Sequence, residues 1–315
     1  MEQSPLQQTP VGAFRFNTDQ NKLEYYDGNQ WVTVNSTSSE VQTGGTRGVL
    51  AGGVPSDVNT LQYFQVETTG NSIDFGDLIT GSGYKRGTAS RTRGIFAAGW
   101  EPEASATDIE YITIASLGNA TEFGQGIGGG QAANGPSSET RAIISFGGRT
   151  PSGTVNNHIE YVTISALGSG IDFGDQIGVI GQAMGCGSPT RGLFAGGYIG
   201  PTTINTIQYI TISTLGNAAD FGDLTVIRSQ GGACSSATRG VFISGGTTPN
   251  ANTDVIDYVT IATLGDAIDF GNLTETTRGT CAAGSTIRAV RTGGYVAQET
   301  MDYVQIANTG NAVDF

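Results

Sequence analysis

A tyrosine followed twelve residues later by a phenylalanine recurs six times in this chain, at Tyr63/Phe75, Tyr111/Phe123, Tyr161/Phe173, Tyr209/Phe221, Tyr258/Phe270 and Tyr303/Phe315. Each of the first five phenylalanines is followed eighteen residues later by an arginine: Arg93, Arg141, Arg191, Arg239 and Arg288, with Arg47 opening the series. Two spacings held over so many copies define a unit of about 48 residues. A period in that range, built of short strands, means a β-propeller or a related array. The expected fold is all-β: a six-bladed β-propeller of four-stranded blades.

One unit reads clearly in residues 228–271. A small, nearly featureless run lies at Gly231–Ser235. Gly240–Ser244 is ended by Gly245-Gly246, Val255–Ala262 alternates around Tyr258, and Ala267–Phe270 is closed by Gly271. β-branched and aromatic residues at period two, bounded by Gly, Asn and Asp, are the signal of strands. The first run suits an innermost strand, because blades converge on the axis and leave no room for side chains. The six tyrosines are expected to lie buried between blades.

The N-terminal stretch is different. Residues 11–34 place strands at Ala13–Asn17, Lys22–Tyr26 and Trp31–Val34, with turns at Thr18–Asn21 and Asp27–Gln30. Asp27-Gly28 is a strong turn signal. So short a meander cannot bury Phe14, Phe16, Leu23, Tyr25, Tyr26 and Trp31 unaided. It needs the propeller or copies of itself, so residues 1–34 are expected to be an attachment or oligomerisation module and 35–315 the propeller. Closing the array requires a segment ahead of Arg47, and Val41–Gly44 is the expected innermost strand of the first blade.

Paired glycines (Gly52-Gly53, Gly147-Gly148, Gly196-Gly197, Gly245-Gly246, Gly293-Gly294) followed by a tyrosine-bearing strand resemble the kelch repeat in outline, with Phe where kelch has its fourth-strand Trp. Over residues 46–315 the units more closely resemble a kelch-like repeat of marine tailed-phage structural proteins. Gly12, Arg15, Phe16, Asn17, Thr18, Asn21, Glu24, Tyr26, Gly28 and Trp31 resemble a short module of phage tail-fibre and other virion proteins, often found in trimeric appendages. The resemblance implies a virion protein made in the host cytoplasm. It would be a homo-oligomer, with a trimer favoured, contacting other virion proteins through the N-terminal module.

Composition narrows the function. The formal net charge is −13, which argues against binding nucleic acid or an anionic membrane. Met1–Pro10 is polar, so no leader is expected, and no run is long enough to span a bilayer. His158 is the single histidine, which excludes a histidine-based metal site or triad. No cofactor is expected, and no metal, beyond weak cation chelation by Asp172 with Asp175 or Asp220 with Asp223. Cys186, Cys234 and Cys281 read as small buried hydrophobes. The Asp-Phe-Gly copies lack every other kinase element, and Gly124–Gly130 lacks a βαβ context.

In a four-stranded blade the 1–2 and 3–4 turns share one face, and the 2–3 and 4–1 connections share the other. The first face is nearly constant between copies, with T-R-G and L-G-N-A. The second varies, through Val54–Asp57, Trp100–Glu103, Arg149–His158, Tyr198–Thr203, Thr247–Thr253 and Tyr295–Gln298. Loops on a rigid scaffold are where recognition usually sits. The expected recognition residues are Trp100, Glu101, Glu103, His158 and Tyr198, facing a host-surface glycan or protein. Arg47, Arg93, Arg141, Arg191, Arg239 and Arg288 are expected to pair with Asp74, Glu122, Asp172, Asp220, Asp269 and Asp314 between neighbouring blades. The functional expectation is a non-enzymatic virion subunit, a tail fibre, spike or appendage presenting a recognition face. A purely structural head or tail subunit is the alternative, and a glycan-active enzyme a minor one.

Overall fold

The computed structural model describes residues 9–18, 22–34, 47–53, 58–83, 85–97, 99, 107–128, 132–133, 135–146, 148–149, 155–248, 251–295 and 299–315. The chain divides into two compact units, Met1–Ser39 and Glu40–Phe315.

The first unit is an antiparallel meander of β1 (Phe14–Asn17), β2 (Lys22–Tyr26) and β3 (Trp31–Thr33). Asp27 Oδ1 accepts from the amides of Asn29 and Gln30, both at 2.8 Å, and so fixes the second turn. The register places Phe14 opposite Tyr25 and Phe16 opposite Leu23. Because side chains alternate across a strand, these four share one face. The other face carries Tyr26, Trp31 and the Arg15–Glu24 ion pair.

The second unit is all-β and propeller-like, with no helix among the described residues. Sheet 1 has strands Arg47–Ala51, Thr60–Gln65 and Ile73–Asp77. Sheet 2 has Arg86–Ala89, Arg93–Ala97, Asp108–Thr113 and Thr121–Gln125. Sheet 3 has Ala132–Ala133, Arg141–Phe146, His158–Thr163 and Ile171–Asp175, with a separate ribbon of Gly148–Arg149 and Val155–Asn156. Sheet 4 has Met184–Gly187, Arg191–Ile199, Thr202–Thr211 and Ala219–Asp223. Sheet 5 has Gly232–Ser235, Arg239–Thr247, Ala251–Thr260 and Ile268–Thr277. Sheet 6 has Cys281–Gly284, Arg288–Thr292, Met301–Gln305 and Val313–Asp314. All neighbours are antiparallel in chain order. The expected strand at Val41–Gly44 lies outside the described residues.

In sheets 4 and 5 the paired glycines do not end the second strand. Gly196 and Gly197, at φ +62° and +114°, form a bulge, and the strand continues to a tight hairpin at Gly200-Pro201. The 1–2 turns share a device. The hydroxyls of Ser90, Ser138, Ser188, Ser236 and Ser285 each accept from the amide of the arginine three residues on.

Apolar clusters sit between consecutive sheets. Leu61, Phe75, Phe96 and Ile112 join sheets 1 and 2, and Ile95, Ile109, Phe123, Ile144 and Val162 join sheets 2 and 3. Similar clusters join sheets 3 and 4, 4 and 5, and 5 and 6. A further cluster places Phe64 and Val66 of the sheet 1 repeat against Val290, Tyr303 and Phe315 of the sheet 6 repeat. The repeated tyrosine and phenylalanine meet edge to face within each repeat, with centroids 5.9–6.2 Å apart. The tyrosines are half-buried, short of the full burial expected, because an arginine rather than apolar side chains covers one face of each ring.

The Asp-Phe-Gly copies have a structural explanation. Gly118, Gly168, Gly216, Gly265 and Gly310 donate their amides to the phenylalanine carbonyls of the preceding sheet, at 2.8–3.0 Å, and Gly70 donates to Phe315 at 3.1 Å. That approach leaves no space at the glycine after the phenylalanine. At Gly222 (φ +148°) a Cβ would lie 2.4 Å from the Gly265 carbonyl oxygen.

Candidate functional site

Of the expected recognition residues, Trp100, Glu101 and Glu103 lie outside the described residues. Tyr198 is exposed at the tip of the sheet 4 hairpin, where extended strands replace the expected loop. His158 begins the third strand of sheet 3, with Nδ1 3.5 Å from Asp172 Oδ1 and Nε2 buried without a partner. The described members of this set therefore stand on separate sheets. Beside them on the variable face, Ile79, Ile127 and Ile177 are each more than half exposed at equivalent positions. The constant face is not featureless either, since Leu117, Leu167, Leu215 and Leu264 are also more than half exposed there.

The six arginines correct the sequence reading. Among the described residues none pairs with a carboxylate. Arg47 Nη1 donates to the carbonyl of Ile114, Arg93 to Ile164, Arg141 to Ile212, Arg191 to Ile261 and Arg239 to Ile306, at 2.7–2.8 Å. Each acceptor belongs to the following sheet's repeat. Arg288 donates to Val66 of the sheet 1 repeat at 3.0 Å. Each guanidinium also lies 4.2–5.0 Å from the centroid of its own repeat's tyrosine ring. The planar cation suits both contacts at once, stacking through its face and donating through its edge. Asp74, Glu122, Asp172, Asp220, Asp269 and Asp314 are exposed, on the outermost strands.

A second set of polar residues, four of them acids, was not anticipated. The residue immediately before each repeated tyrosine is Gln62, Glu110, Glu160, Gln208, Asp257 or Asp302, and all but Gln62 are fully buried. Each buried one reaches back to the chain leaving the preceding sheet. Glu110 Oε2 accepts from Ile79 N at 2.8 Å, Glu160 Oε2 from Ile127 N at 2.6 Å and Gln208 Oε1 from Ile177 N at 2.8 Å. Asp257 Oδ2 accepts from Thr225 N at 3.1 Å, and Asp302 Oδ1 from Thr274 Oγ1 at 2.6 Å. Buried carboxylates need a partner. Lys85 Nζ supplies it to Glu110, Arg228 Nη2 to Asp257 at 3.0 Å, and Arg291 Nη2 to Asp302. Among the described residues Glu160 has none, and burial pushes its pKa up to about 7 against the pull of the Ile127 and Gly128 amides. A polar residue in this column in all six copies was the available signal.

A cavity of about 260 Å³ is lined by small residues of the first strands of sheets 2, 4, 5 and 6, such as Gly87, Ala89, Gly185, Ala233 and Ala283, and by Arg47–Ala51 of sheet 1. Cys186 and Cys234 are among the residues that line it. Their thiols lie beside Gly240 and Gly284 of the next sheet, and burial pushes both pKa values up. Cys281 is exposed, against the expectation that all three are buried, because it sits two residues earlier on its strand than the register of the other two, which Ala283 occupies in sheet 6. Among the described residues no three His, Cys, Asp or Glu side chains converge as a metal site.

In the N-terminal unit the expected attachment residues divide between the two faces. Phe14, Phe16 and Tyr25 are exposed, with Leu23, on the apolar face. Tyr26 and Trp31 pack together on the other, where Arg15 lies 4.3 Å from the Trp31 ring centroid.

No protein-family model matches this chain, and no curated protein matches it. The kelch-like and phage-type resemblances therefore rest on the motifs quoted above.

Proposed function

We propose that this chain is a non-enzymatic virion appendage subunit. In this reading its six sheets close into a six-bladed β-propeller that presents the variable face to a host-surface or protein partner. The N-terminal sheet attaches it to the particle or to further copies of itself. One observation carries the reading: the same arginine-to-carbonyl bond recurs six times, including the pair Arg288 and Val66, while the connections on the opposite face differ from copy to copy. A scaffold held by repeated main-chain bonds is free to vary its other face. The exposed apolar face of Phe14, Phe16, Leu23 and Tyr25 supports the attachment role. Antibody raised to the purified chain should label intact particles. A chain that stays wholly in the particle-free fraction of infected cells refutes the virion assignment.

A further inference from the structure

The turns between third and fourth strands on the constant face lie wholly among the described residues, and they leave an ordered set of side chains in solvent. Leu117, Leu167, Leu215 and Leu264 are each more than half exposed. The packing of the sheets does not call for leucine there. Thr69 and Thr309 occupy the same position in the sheet 1 and sheet 6 repeats, and the glycine after each makes the same bond to a phenylalanine carbonyl.

Each leucine has a carboxylate beside it. Gly118 N bonds Phe75 O at 2.9 Å and Ala120 N bonds Asp77 O at 2.7 Å, so the turn of sheet 2 runs parallel to the outermost strand of sheet 1. The residue before Gly118 therefore lies next to the residue before Phe75, which sets Leu117 beside Asp74. The same pair of bonds sets Leu167 beside Glu122, Leu215 beside Asp172 and Leu264 beside Asp220. All four carboxylates are exposed, and Asp172 also has His158 Nδ1 at 3.5 Å. The arginine at each of these joints is half-buried, bonded to a carbonyl and stacked on a tyrosine, so the charge that faces solvent is the acid's. At the first joint a crevice of about 120 Å³ opens beside Leu117, lined in part by the polar side chains of Thr113, Ser116, Asn119 and Thr121.

Lysine fits an aliphatic surface next to a carboxylate, because its four-carbon stem lies along apolar groups while its ammonium stays in a polar setting. We propose that the constant face binds a lysine-rich segment of another protein, each lysine laying its stem on one leucine and pairing its ammonium with the neighbouring carboxylate. Four such places on consecutive joints favour a partner that fills several at once, since linked contacts multiply weak single ones. This surface lies opposite the variable face, and its partner is independent of the virion assignment.

Fluorescence anisotropy with the whole chain at pH 6.5 and physiological ionic strength tests this. The probes are labelled oligolysine, an equally charged oligomer of diaminobutyrate, whose amine stands on a shorter stem, and acetylated oligolysine. Oligolysine should bind at least about tenfold more tightly than either of the others. Leu117→Ser combined with Leu167→Ser, Leu215→Ser and Leu264→Ser should abolish its preference over diaminobutyrate at unchanged Tm. Asp74→Asn combined with Glu122→Gln, Asp172→Asn and Asp220→Asn should weaken both charged oligomers, whereas Asp269→Asn with Asp314→Asn, where no leucine stands, should leave the preference intact. No binding of oligolysine, equal binding of the two charged oligomers to the wild type, or a preference that survives in the leucine variant overturns the proposal. If the variants fail to fold, methyl NMR of the wild-type chain decides: shifts of these four leucines on adding oligolysine support the site, and their absence refutes it.

Discussion

Arg191→Ala removes two contacts at once, and their sizes can be worked from the structure. The bond from Nη1 to the Ile261 carbonyl is 2.8 Å long and has a charged donor, a class that contributes about 1.5–3 kcal/mol. The guanidinium lies 4.6 Å from the Tyr209 ring centroid, adding about 0.5–1 kcal/mol. The expected loss is about 2–4 kcal/mol, read as a lowered midpoint in urea unfolding at unchanged slope. A cycle with Tyr209→Leu should return a coupling of about 0.5–1 kcal/mol. Arg288→Ala is the decisive partner, because its acceptor, Val66, lies 222 residues away in the chain. If the sixth joint is equivalent to the others, Arg288→Ala costs the same about 2–4 kcal/mol. A cost below about 0.5 kcal/mol for Arg288→Ala, beside a full cost for Arg191→Ala, refutes closure of the array.

Three further outcomes are expected. Glu160 has a folded pKa of about 7 against 4.5 when free, so the native state holds the extra proton between those values. Stability therefore falls as pH rises through that window, by up to about 3 kcal/mol. Glu160→Gln, followed by urea titration at pH 5 and pH 8 in sodium chloride, should match the wild type at pH 5 and exceed it at pH 8, and a pH-independent difference contradicts this. Phe14→Ser with Phe16→Ser should convert the assembled species, a trimer by resemblance, into a monomer of unchanged propeller stability by sedimentation, whereas an unchanged mass places assembly elsewhere. Cys281 should react with a thiol reagent within minutes in the native state while Cys186 and Cys234 stay protected until unfolding, and rapid labelling of all three would contradict their burial.

The repeat was legible because Tyr–Phe spacing survives divergence, and the spacing alone placed most strands within a few residues. The role of the arginines was not, since sequence shows charges but not main-chain carbonyls, and six acids at matching period offered a plausible but wrong partner. The column ending in Asp302 was hidden differently. A polar residue in an alternating strand reads as solvent-facing, yet in stacked sheets both faces are covered, so Glu110 and Asp257 lie in the core beside their cations. The hairpin at Gly200-Pro201 shows the same limit for loops: variable length between copies signals divergence, not irregular structure.

An arginine that binds a carbonyl, and a glycine amide that binds another, recognise only backbone. Such contacts cannot tell one neighbouring repeat from the next. Repeats joined this way are interchangeable, so a gene can gain, lose or exchange copies without inventing a new interface. The same indifference carries a hazard, because during synthesis the sixth repeat of one molecule can dock on the first repeat of another. What distinguishes the joints is their buried ionic content: a lysine at Lys85, arginines at Arg228 and Arg291, a glutamine pair at Gln176 and Gln208, and a lone carboxyl at Glu160. Exchanging these groups between joints would leave the main-chain bonds in place but bury an unmatched charge at each joint, which is costly.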